Sequence, residues 1–139
     1  MSDLDTIKSI EDNLTAIITA QGFNFEDSSS DPKAETTPVA TLLFKSEDFD
    51  YTHGQKPLYN ELGYEIVANY SVSAPSTARD KAAEYGHKLR ENITVNALNT
   101  GALASTKLVS RIDHQGYDVE YSKPIVRVIY KLKIRYREQ

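Results

Sequence analysis

The chain has 139 residues and no cysteine. That excludes a disulfide framework and any thiolate metal site. It suits a reducing compartment or an assembly indifferent to redox state. No apolar run approaches the ~18–20 residues of a membrane-spanning helix, so no membrane partner is expected. The N-terminus, MSDLDTIKSIED, is acidic. It lacks a basic segment followed by an apolar block and does not read as a signal peptide. The Asn-x-Ser/Thr triplets at Asn13, Asn69 and Asn92 then read as chance matches. Also missing are GxGxxG, GxxxxGK before Ser or Thr, HExxH and GxSxG, which carry dinucleotide, phosphate, zinc and nucleophile chemistry.

The polar residues that are present do not assemble a reaction centre. His53, His87 and His114 fall in different settings, with no metal-ligand spacing between them. His114 follows Asp113, a pair that could serve acid–base chemistry. Neighbours on a strand point to opposite faces, however, so a solvated turn histidine is expected. Glu47, Asp48 and Asp50 lack the spacing and the glycine of a calcium loop. No metal, cofactor or enzymatic activity is expected.

The strongest positive signal is the last fifteen residues. Val126, Val128, Tyr130, Leu132, Ile134 and Tyr136 take the even positions. Arg127, Lys131, Lys133, Arg135 and Arg137 stand on odd ones. This period-2 pattern predicts a strand over 125–136, about 40 Å long, with one apolar and one cationic face. A small domain does not need so long a strand to close its own core, which points to a sheet that also serves a neighbouring subunit.

Charge is divided along the chain. Residues 1–65 hold thirteen acids and four bases, and residues 66–139 hold seven acids and twelve bases. Opposite halves on neighbouring copies favour head-to-tail association. The basic ladder could instead follow phosphates or be an ordinary solvated face. The acidic pI near 5.4 argues against a dedicated nucleic-acid binder, and nine tyrosines favour a protein interface.

Leu4, Ile7, Ile10, Leu14, Ile17 and Ile18 recur at spacings of three and four, predicting an amphipathic helix over 3–20. Ser2 caps it and Gly22 ends it. Residues 24–37 read as a polar loop, with Phe23 and Phe25 pinning its start to the core. A strand is predicted over 38–44, then a long, partly mobile hairpin arm over about 45–62, then a return strand over 64–73. Thr77 and Asp80 read as a capping box for a helix over 78–92. Gly86 marks close packing of that helix on the sheet. Residues 95–98 form a short helical turn. Strands follow over 107–112 and 118–121, with a turn or bulge at His114–Tyr117. The fold class is α+β, one domain over 1–139. It has a single, mostly antiparallel sheet, two main helices on one face and a hairpin arm.

In this order of segments the chain resembles the tail terminator (tail completion) proteins of long-tailed bacteriophages, the lambda-type minor tail protein U group. The likeness runs through the N-terminal helix, the strand PVATLLF, SEDFDY, the return strand YEIVANYSVSAP and the stretch NTGALASTKLVSRIDHQGYDVEYS. Gly116-Tyr117-Asp118 stands where a Gly-Tyr-Asp is expected in the lambda-type protein. The chain departs from the group in a longer, more basic terminal strand. The resemblance implies a non-enzymatic hexameric ring of the virion tail, built in the bacterial cytoplasm. Such a ring caps the tail tube, stops its polymerisation and presents a surface to the head–tail connector, with DNA only passing through the lumen. On this reading Glu47, Asp48, Phe49, Asp50 and Tyr51 of one subunit meet Arg127, Lys131, Lys133 and Arg135 of the next. A head–tail joining protein and a monomeric small-ligand-binding domain are the alternatives.

Overall fold

A computed structural model describes residues 2–25, 39–50, 58–72 and 74–138. The order is α1 (Asp3–Ala20), β1 (Asn24–Phe25), β2 (Val39–Asp50), β3 (Tyr59–Ser71), α2 (Pro75–Asn92), α3 (Val95–Leu98), a 3-10 turn (Gly101–Leu103), β4 (Val109–Ser122) and β5 (Ile125–Arg137). The sheet order is β1-β2-β3-β5-β4. All pairings are antiparallel except the two-residue parallel contact of β1 with β2. The α+β class read from the sequence is the class observed.

α1 begins where the sequence places it. Ser2 Oγ accepts from the Asp5 amide, and Asp5 reaches back to the Ser2 amide in a full capping box. Two acids also lie in the first turn, where the helix dipole favours negative charge. α2 starts differently from the expectation. Its N-cap is Ala74, with no side-chain cap, and Pro75 opens the helix. Proline suits that position, since its ring presets φ and it has no N–H to leave unpaired. The Thr77–Asp80 capping box is therefore absent.

The sheet is longer than its sequence signals. β2 continues six residues past Phe44, and β3 begins at Tyr59 rather than Tyr64. Residues 46–50 pair with 59–63, and 59–63 pair on their other side with 133–137. The hairpin read as a free arm thus extends the main sheet. Its tip, with Tyr51 and His53, lies outside the described residues. β4 is one strand with a bulge between His114 and Gly116. Gly116 has φ of +95°, which L side chains rarely adopt.

The core lies on the even-numbered face of β5. Val126 to Tyr136 are buried there, opposite Leu62, Tyr64, Ile66, Ala68 and Tyr70 of β3. Helix contacts fall on this face. Tyr70 Oη donates to the Ala78 carbonyl (3.0 Å) and Tyr64 Oη to Glu11 (2.9 Å). The Tyr70 and Tyr85 rings meet edge to face at 5.1 Å.

Gly86 lets α2 lie directly on Tyr117 of β4: a Cβ there would stand 2.4 Å from Tyr117 Cε1. Gly86→Ala gains ~1 kcal/mol of helix propensity but forces a ring displacement that costs about 1–3 kcal/mol. The expected result is net destabilisation of the wild-type chain and stabilisation by ~1 kcal/mol in a Tyr117→Ala background. Urea melts of the four variants in that cycle read the reversal, and an unchanged sign would remove the steric account.

Candidate functional site

The two faces of the sheet divide the chain's polar chemistry. On the helix side, a network ties β2, β3 and β5 together at one end. Tyr136 Oη donates to Glu47 Oε2 (2.9 Å) and accepts from Asn60 Nδ2 (3.0 Å). Asn60 Nδ2 also donates to Glu138 (3.0 Å). Burial, then the nearby Glu47 carboxylate, hold the Tyr136 hydroxyl protonated, far above the ordinary tyrosine value. The network is structural: the Tyr136 hydroxyl is a proton donor locked to a carboxylate.

The opposite face carries the cations, and each one read as a subunit contact has a partner within its own chain. Arg135 ion-pairs with Asp50 across β3 and stacks 4.6 Å from the Tyr59 ring centroid. Lys133 pairs with Glu61 at 3.7 Å and Lys131 with Asp118 at 2.6 Å. Arg127 Nε donates to Asn69 Oδ1 at 3.2 Å. The reason is topological. β5 lies inside the sheet, so β2, β3 and β4 bring acids of the same chain within reach of it. The acid-to-base contact expected between subunits is formed, for Asp50 and Arg135, within one. Such exposed pairs each contribute only ~0–1 kcal/mol. Asp48 lies on this same face, opposite Glu61.

Phe49 and Glu47 point to the other face, opposite Asn60 and Leu62. Phe49 is 53 % exposed, Phe44 is 52 % exposed, and both stand on the edge of β2 that no other strand pairs among the described residues. At the opposite edge, on the same face, Val119 of β4 is 43 % exposed. Beside it a cleft of about 380 Å³ opens between α2 and β4. Its floor is Tyr117, Tyr130 and His114, and its rim is His87 and Arg90. Arg90 pairs with no carboxylate among the described residues.

His114 is not a solvated turn residue. Its Nε2 bonds the Ile93 carbonyl (3.1 Å) and its Nδ1 bonds Tyr130 Oη (2.6 Å). A carbonyl only accepts, so Nε2 carries the proton and Nδ1 accepts from Tyr130. Asp113 faces away and pairs with Arg111 (2.8 Å). The neighbouring residues thus point to opposite faces and share no chemistry. Burial is the main cause lowering the His114 pKa below 6.5, with Arg90 acting in the same direction. The Tyr130 hydroxyl is pushed up to about 12, chiefly by burial.

A depressed folded-state pKa means that the unfolded chain binds the proton more readily. The His114 contribution is therefore complete above the unfolded value, 6.5, and is lost as pH falls from there through the folded pKa. Urea midpoints measured downward from pH 7.5 should decline for the wild type and decline less for His114→Gln. Equal slopes would show that another group controls the loss.

Sequence reasoning named Phe49 but missed Phe44, Val119, Arg90 and Tyr117. Alternation could have put Phe44 and Val119 on the apolar face. Their exposure follows from strand order, which periodicity does not carry. No protein-family model and no curated protein matches the chain.

Proposed function

We propose that this chain is the protomer of a closed ring that terminates a phage tail tube, as the resemblance of its segments implies. The observation that supports the reading is a pair of sheet edges without a partner strand among the described residues. There, β2 past Ala40 and the whole of β4 pair on one side only. Long bare edges invite strand pairing with another chain unless something covers them.

Direction makes the two edges compatible. The four long strands alternate in sense, so β2 and β4 run opposite ways. Copies related by rotation then meet β4 to β2 as an antiparallel pair. That contact is heterologous, and a ring closes it. The helices form the outside of such a ring and the charged face lines its lumen. There Lys131, Lys133 and Arg135 of β5 are matched by acids of the same sheet, which suits DNA in transit rather than DNA held.

Light scattering across protein and salt concentrations tests the ring. The expected species is a closed oligomer near six subunits, formed alone or on added tail tubes. It should bind tube ends and halt their elongation. Binding to portal-bearing heads without tube binding would instead assign a head–tail joining role. A monomer that binds neither tubes nor heads would reject both assignments.

A further inference from the structure

The ring reading leaves open how far one sheet edge slides along the next, and the exposed apolar residues fix it. On the helix side, the β2 edge presents Leu42, Phe44, Glu47 and Phe49 in order. The β4 edge presents His114, Tyr117, Val119 and Tyr121. Within one chain, Phe44 and His114 stand on the same row across the sheet, through Tyr64 and Leu132. A neighbour added without any shift would set Phe44 against His114 and would bring Val119 to Ala40. That position of the edge is already taken by β1.

We propose that the next copy is shifted by two same-face positions, so that Phe49 of one subunit seats in the α2–β4 cleft of its neighbour and Phe44 packs on the neighbour's Val119. The proposal rests on the ring reading above. In this register Phe49 meets His114, Glu47 meets Tyr117, Phe44 meets Val119 and Leu42 meets Tyr121. The two most exposed aromatic side chains of β2 and the exposed valine of β4 are then all covered.

Charge and geometry agree with the shift. Glu47 arrives beside Arg90 on the cleft rim and supplies the carboxylate that this guanidinium lacks. Two same-face positions amount to about four residues along the strand. At ~3.3 Å per residue, over four strands spaced ~4.8 Å apart, the shift tilts the strands by about 35°, within the usual range for closed barrels. An unshifted ring would have untilted strands. A shift the other way is blocked where β1 covers Val39 and Ala40.

The native chain has no cysteine, so introduced thiols report contacts without background. Facing residues on paired strands have Cβ atoms about 4.5–5.5 Å apart, close enough for a disulfide to form with small adjustment. The full chain carrying Phe44→Cys and Val119→Cys is oxidised, then run without reductant beside Phe44→Cys with Tyr117→Cys. Scattering is recorded on the same samples, with tail tubes present. The expected result is a ladder of linked subunits for the first pair, at least tenfold more abundant than for the second. A ring that links chiefly through Tyr117→Cys overturns the register and leaves the ring standing. A ring linked by neither pair likewise overturns this register. A monomer in every sample overturns both the contact and the ring.

Discussion

Tyr136→Ala is expected to be among the most damaging single substitutions, costing about 3–5 kcal/mol, the range for truncating a large buried aromatic side chain. The ring is fully buried. Its hydroxyl is the joint between Asn60 and Glu47. Truncation opens a cavity and removes one bond from each partner at once. Asn60 Oδ1 already has no hydrogen-bond partner, so that side chain is poorly placed to compensate. Domains of this size are stable by about 5–15 kcal/mol, and the variant is expected to lose a large share of that. Tyr136→Phe keeps the volume and should cost ~1 kcal/mol, the ordinary worth of a hydrogen bond. Urea denaturation read by circular dichroism separates the two terms. A deficit below ~1.5 kcal/mol for the alanine variant would mean that the site collapses around the gap.

Phe49→Asp is expected to have the opposite signature: an intact subunit and no ring. Phe49 is half exposed in the single chain, so its replacement should change monomer stability by no more than ~0.5 kcal/mol. Burying the exposed half of this phenylalanine contributes about half of the 1.5–3 kcal/mol of a fully exposed one, or roughly 3–10-fold in association. The new carboxylate would also have to be desolvated in the neighbour's cleft, which adds to the loss. The concentration at which rings half-assemble should rise by at least tenfold, while the urea midpoint of the monomer stays within error. Phe49→Tyr should retain assembly. An unchanged assembly curve for Phe49→Asp would remove this residue from the interface, and a lowered urea midpoint would turn it into a folding residue.

Much of the architecture was legible because it rests on local rules. The spacing of Ile10, Leu14 and Ile18 marks the buried stripe of α1, and all three are fully buried. The even-numbered residues of β5 are buried as alternation requires. Gly86 was read as a close approach and is one. What misled the reading was equally physical. The acids and aromatic residues of about 45–62 suggested a partly mobile hairpin arm, yet 46–50 and 59–63 pair with each other, and 59–63 with β5, as part of the sheet. Thr77 and Asp80 looked like a cap, but Pro75 had already begun the helix. His114 looked like part of a turn, and the bulge turns it inward to Tyr130 instead.

The sequence alone determined the α+β class, the long final strand with one apolar and one cationic face, and the absence of recognisable catalytic motifs. These depend on residue type and on periods of 2 and 3.6 along one chain. Strand order decided the rest. Placing β5 inside the sheet gave its cations partners from its own chain. Placing β2 and β4 at the edges left Phe44, Phe49 and Val119 exposed. Periodicity tells which face a side chain takes. Only tertiary pairing tells which strands have a neighbour, and so which surfaces remain for another subunit.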